Sequence, residues 1–204
     1  MEGLSGRCSR NFNRYIMKKI ATHDSATGEV GKGFLSWIGT PFARTQSKTI
    51  LEQYQAGCRM FDIRVKLIKG EWRCAHGLWQ SKRLAENIIK EINSFKDRCY
   101  VTLTYEGGKK HKAEFIEFVK RITEEYYYIK WGSIAIKYGE GSHLLKVQYE
   151  YISHAKNWPV AKQGFLPLNG STWHILLPIP WLWKRLYNDK PEFSKHYYTW
   201  VDFL

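Results

Sequence analysis

Hydrophobic positions along the chain change period several times, and each change marks an element. Over residues 58–68, Phe61, Ile63, Val65 and Leu67 fall on one side of an extended chain, and Asp62, Arg64 and Lys66 on the other. That alternation predicts a strand with one apolar face. A turn at Lys69-Gly70 follows, and Glu71 to Ala75 reads as the hairpin partner, delivering His76 near the Asp62 and Arg64 face. Residues 47–56 predict a short helix, with Ser47 as N-cap, Ile50, Leu51 and Tyr54 on one face, and Gly57 as the stop. Leu84, Ile88, Ile89, Ile92 and Phe95 recur at helical spacing, as do Phe115, Ile116, Val119, Ile122 and Tyr126. Between those helices, Cys99 to Tyr105 is rich in β-formers. Ile16 to Thr22 reads as a first strand ending at His23, and further strands are expected near 133–137, 144–151, 173–177 and 197–203.

Strands interleaved with helices imply βα units and a mainly parallel sheet. No glycine-rich nucleotide fingerprint accompanies them, so the expectation is an α/β fold: a small or incomplete (β/α) TIM-like barrel in a single domain. Residues 1–15 are expected to be an N-terminal extension and 16–204 the barrel. In such barrels chemistry collects where strands end and loops begin.

Composition narrows the class. The chain has 204 residues, 44% hydrophobic and 25% charged, which excludes wholesale disorder. A net charge of +13 calls for an anionic partner, either nucleic acid or an acidic membrane surface. Nine Trp suit a membrane interface but also base stacking, so composition alone leaves both open. No segment approaches the ~20 apolar residues of a membrane span. The N-terminus lacks the apolar region of a signal peptide, so the location is left open: cytoplasmic by default and peripheral at membranes, with secretion by another route as the alternative. Cys8, Cys58, Cys74 and Cys99 have no metal-ligand spacing and are expected to be free, mostly buried thiols.

Candidate chemistry gathers in three short segments. Ala21-Thr22-His23-Asp24-Ser25-Ala26-Thr27 sets an imidazole beside a carboxylate among small polar residues. Gly57-Cys58-Arg59-Met60-Phe61-Asp62-Ile63-Arg64-Val65 puts an acid and a permanent cation on one strand face, and Ala75-His76-Gly77 adds a second histidine. Two histidines, an arginine and acidic partners are what a metal-free phosphoryl transfer uses: a base, an acid, and a fixed cation on the phosphate oxygens. On a central barrel strand, Asp62 and Arg64 would be buried, an arrangement that is costly unless the pair is used.

In order and spacing, THDSAT, then Gln46-Ser47-Lys48-Thr49-Ile50 leading to Gln53, then GCRMFDIRV, then HG, resemble the X domain of phosphatidylinositol-specific phospholipase C in its small bacterial form. The resemblance spans about residues 20–106 and fades afterwards. It implies that His23 is the general base toward the inositol 2-hydroxyl and that His76 is the general acid toward the leaving oxygen. Asp24 would orient the acid histidine, Asp62 would belong to the same network, and Arg64 would hold the phosphate. Products would be a cyclic inositol phosphate and diacylglycerol.

Arginine at position 64 further implies no metal cofactor, since calcium-dependent relatives carry an acidic residue there. Glu106 stands where those relatives have a ligand, yet alone it makes a poor calcium site, and it is placed on the substrate side. Asp202 is the expected partner of the base. Trp37, in Phe34 to Gly39, and Trp181 and Trp183, in Ile179 to Arg185, are expected in interfacial loops that meet an anionic phospholipid surface. The expected partners are that surface and a small lipid substrate, without nucleic acid, for a monomer. Two alternatives stand beside this reading. One is a non-catalytic basic module for anionic lipid or nucleic acid. The other is a barrel phosphodiesterase for another headgroup, whose metal cluster Asp24 and Glu29 alone would not supply.

Overall fold

The computed structural model describes residues 19–138, 148–155, 161–163 and 198–204. The sheet is organised around β2 (Cys58–Ile68), which matches the alternating segment. Parallel ladders join β1 (Ile20–Thr22) to β2, β2 to β5 (Tyr100–Tyr105), and β5 to β6 (Lys130–Tyr138). On the other flank β9 (Tyr198–Val201) lies parallel to β1, and β8 (Ala161–Gln163) parallel to β9. Antiparallel strands complete the set. These are β7 (Gln148–Ser153) on β6, β3 (Glu71–His76) on the far half of β2, and β4 (Trp79–Leu84) on β3. The β2–β3 turn uses Lys69 at φ 51° and Gly70 at φ 80°, as the Lys69-Gly70 pair predicted.

The result is a mixed α/β fold. Its sheet runs from β7 to β8, and among the described residues no ladder joins those two strands. Among the described residues the sheet has a parallel centre and is not closed, so the α/β class expected from the sequence is present and a barrel is not shown. The expected extension at 1–15 and the strand near 173–177 lie outside the described residues.

Burial follows the sequence pattern. Phe61, Ile63 and Val65 on β2 join Val101 and Leu103 on β5 in one core with Ile88, Ile89 and Ile92 of α3 (Ala85–Asn93) and Phe115 and Ile122 of α4 (Lys112–Glu125). Cys58, Cys74 and Cys99 are free and buried. The helix α2 spans Ile50–Gln55, and its N-cap is Thr49 rather than Ser47. Thr49 and Glu52 form a reciprocal capping box, which satisfies two N-terminal donors where Ser47 would satisfy at most one.

A correction concerns Phe34 to Gly39. Expected as an interfacial loop, they lie within α1 (Gly33–Ala43), which has Pro41 inside it. Its inward face consists of small residues, Ser36, Gly39 and Ala43. A Cβ on Gly39 would lie 2.9 Å from Leu78 Cβ and from the Trp79 nitrogen, so only glycine permits this approach to β4.

Candidate functional site

Most of the predicted chemistry meets at the C-terminal ends of the parallel strands. His23 follows β1, Glu106 follows β5 and Asp202 follows β9, while Asp62 and Arg64 stand on the face of β2 opposite the core. His76 ends β3. Asp24 adopts a left-handed conformation, φ 43° and ψ 49°, which aspartate tolerates better than most residues. Its N–H donates to Asp62 Oδ2 at 3.2 Å. Asp62 is held in turn by Thr102 Oγ1 at 3.1 Å, and its own N–H donates to Ser25 Oγ at 2.8 Å.

Arg64 is the hub. Nε bonds to Asp62 Oδ2 at 3.1 Å and is ion-paired with Asp24, Nη1 reaches Glu106 Oε1 at 3.2 Å, and Nη2 sits 2.8 Å from His23 Nε2. Burial disfavours its charge, but Asp24, Asp62 and Glu106 more than offset this and drive its pKa well above the ordinary value.

His23 Nδ1 lies 3.1 Å from Asp202 Oδ1, and its Nε2 lies 3.4 Å from Asp24 Oδ2. Burial alone would lower the imidazole pKa. The Asp24 carboxylate, with the hydrogen bond and charge of Asp202, outweighs burial and the opposing Arg64, raising it to about 9. The contact with Arg64 pulls the other way. An arginine N–H donating to Nε2 requires a neutral ring with its proton on Nδ1, so proton uptake must displace Arg64.

For Asp24, burial is again the largest single influence and favours the neutral form. The charges of Arg64 and His23 overcome it and hold the carboxyl far below the usual range. His76 Nδ1 sits 3.1 Å from Asp24 Oδ2 and 3.1 Å from the Ala43 carbonyl at the end of α1. Asp24 thus touches both histidines and the arginine.

Sequence reasoning missed two members of the cluster. Lys137 Nζ binds both Glu106 oxygens, at 3.2 and 3.0 Å. Tyr149 is its partner in the β6–β7 register, and its phenol pKa, raised by burial, also responds to Arg64, Glu106, Asp62 and Asp24. The alternation of Ile134, Ile136 and Lys137 was a usable signal for the lysine. Nothing local distinguishes Tyr149 from the neighbouring tyrosines.

Ligand atoms of His23, Asp24 and Asp62 lie within 4.8 Å of one another, as a metal site would require. Calcium does not fit them. It wants six to eight oxygens, whereas here the guanidinium already binds both carboxylates. Glu29 supplies no further ligand, since it turns away to the Ile50 N–H at 3.1 Å and Arg83 at 3.3 Å.

Trp37 is 73% exposed and Phe34 70%, their rings stacked 5.8 Å apart, with Leu35, Phe42, Val30 and Leu78 also exposed. The apolar face of α1 thus points outward. Trp181 and Trp183 lie outside the described residues. No helix among the described residues is long and apolar enough to cross a membrane.

No protein-family model matches the sequence, and no curated protein matches it. Solved structures do. A mutant of the phosphatidylinositol-specific phospholipase C from Staphylococcus aureus matches with TM-score 0.51 at 14% identity, over 92% of this chain and 86% of that one. The phosphatidylinositol-specific phospholipase C from Listeria monocytogenes matches with TM-score 0.47 at 17% identity, over 72% of this chain and 61% of that one. Another structure of the S. aureus enzyme gives TM-score 0.40 and 22% identity, over 55% of this chain and 38% of that one. The first match shows a shared fold.

Proposed function

We propose that the chain cleaves phosphatidylinositol-type lipids by intramolecular phosphoryl transfer, without a metal. The observation that carries this reading is the single cluster in which Asp24 contacts His23, His76 and Arg64. Arg64 Nη2 lies 2.8 Å from His23 Nε2 and, with the proton on Nδ1, covers that nitrogen's lone pair. A phosphodiester arriving between them takes the guanidinium onto its non-bridging oxygens, which frees Nε2 as a base. The inositol 2-hydroxyl gives its proton to that nitrogen, and its oxygen attacks phosphorus. As the bond to the diacylglycerol oxygen breaks, His76 protonates that oxygen. Diacylglycerol leaves, and a cyclic inositol phosphate remains. Asp202 holds the Nδ1 proton of the base, and Asp24 holds the ring of the acid.

General acid–base help of this kind contributes about 10²–10⁴-fold. Glu106, Lys137 and Tyr149 form the wall on which the headgroup rests. The exposed face of α1 serves as the contact with an anionic lipid surface, drawn in by the chain's positive charge. The test is release of diacylglycerol from phosphatidylinositol vesicles, with and without a chelator. Equal release in both arms supports the reading. No release from the unmodified protein sinks it, and loss with chelator sinks the metal-free part.

A further inference from the structure

The segment Thr45-Gln46-Ser47-Lys48 has no part in the chemistry above, yet it touches both halves of the base pair. Gln46 is fully buried. Its Nε2 donates to the His23 carbonyl at 3.1 Å and to the Val201 carbonyl at 2.8 Å. Its Oε1 accepts the Leu204 N–H at 3.2 Å. One amide thus bonds the peptide after β1 that carries His23, the peptide that enters Asp202, and the Leu204 N–H two residues beyond it. Neighbours repeat the pattern. Thr45 Oγ1 donates to the His23 carbonyl at 2.8 Å, the Thr45 carbonyl accepts the Phe203 N–H at 2.6 Å, and Lys48 Nζ donates to the Leu204 carbonyl.

These bonds join segments far apart in sequence. The parallel ladder of β1 and β9 pairs them as far as Thr22 and Val201, and at its end the His23 N–H reaches the Val201 carbonyl at a long 3.3 Å. A hydrogen bond from His23 to Asp202 depends on that join holding to within a few tenths of an ångström. Groups facing the imidazole from the other elements are Asp24, Asp62 and Arg64. None of them bonds the Asp202 segment.

We propose that Gln46, supported by Lys48, is a positioning residue that sets the His23–Asp202 geometry by clasping the end of β1 to the segment after β9. It touches no reacting atom and acts through the backbone. This inference rests on the phosphodiesterase reading for its kinetic consequence but not for its structural one.

The test compares the full-length protein with Gln46→Met, which keeps the volume and loses every side-chain hydrogen bond at this position. The readout is the His23 Nδ1 proton in NMR spectra, assigned by its absence in His23→Ala. In the unmodified protein the bond to Asp202 places that proton downfield and protects it from exchange. The clasp predicts that it is lost or moved upfield in Gln46→Met, while the dispersed spectrum of a folded protein remains. On phosphatidylinositol, kcat should fall about 10- to 100-fold, as expected for a small misplacement of a catalytic group, with KM near its original value. An unchanged resonance in folded Gln46→Met overturns the proposal. Should that variant not fold, Gln46→Glu and Lys48→Met are read the same way, and an unchanged resonance in both overturns it. If the unmodified protein cleaves no phosphatidylinositol, the functional reading fails, and the resonance still decides the clasp.

Discussion

At the scale of single residues the account depends on one carboxylate, that of Asp24, contacting two histidines and an arginine. Because the base and the acid act on one transition state, His23→Ala and His76→Ala should each abolish most cleavage, and the double variant should be little worse than either single. Retention of more than about a tenth of the rate in either would contradict the paired roles. Arg64→Lys keeps a charge but loses the planar fork that contacts Asp62, Glu106 and His23, so kcat should fall by about 10²-fold or more with substrate binding less affected. The pH profile carries its own sign. Asp202 raises the His23 pKa, so the base-competent neutral ring becomes more abundant as pH rises toward about 9. Asp202→Asn removes that charge, lowers the pKa, and should move the rising limb of kcat/KM to lower pH while reducing its plateau. A limb that stays in place or moves up would contradict the assignment. His23, Asp24, Asp62, Arg64 and His76 were legible because the motifs name them and the alternation of β2 fixes their face. Asp202 could be guessed only by resemblance, since its contact spans almost the whole chain. The alternation of β6 marks Lys137 as opposite Ile134 and Ile136, whereas Tyr149 required the β6–β7 register, which no sequence pattern supplied.

At the scale of elements, α1 inverts the usual arrangement. Small residues pack inward against β4, and large apolar side chains face out. That inversion hides the helix from the sequence pattern, because an exposed apolar stripe reads as an interfacial loop and the small residues of its packing face read as a linker. The strand of 58–68 and the helix of 84–95 were legible for the opposite reason: their apolar faces are the buried ones. The same inversion yields a prediction. Phe34→Ala with Trp37→Ala should weaken sedimentation with anionic vesicles while sparing turnover of a short-chain soluble substrate, since exposed side chains contribute little to the core. Unfolding, or equal loss of both activities, would show that the stacked rings do something else. A smaller test addresses α2. Thr49→Ala removes the capping box and should cost about 1 kcal/mol in denaturant unfolding.

At the scale of the whole molecule, the described sheet collects its chemistry at one end, and α1 terminates at Ala43, whose carbonyl lies 3.1 Å from His76 Nδ1. The α/β class and parallel centre were readable from strands alternating with helices. Closure is not readable that way, because the sequence pattern specifies which face of a strand is buried but not whether the last strand meets the first. With a net charge of +13, vesicle association should weaken as salt rises, because exposed charges are screened beyond about 10 Å at ~0.1 M. The central claim is that the lipid's own 2-hydroxyl attacks phosphorus, and phosphorus NMR of the first product tests it most directly. The account predicts a cyclic inositol phosphodiester as the initial species from phosphatidylinositol, formed equally with chelator present and absent from the His23→Ala reaction. An acyclic inositol monophosphate appearing first, with no cyclic intermediate, would contradict it.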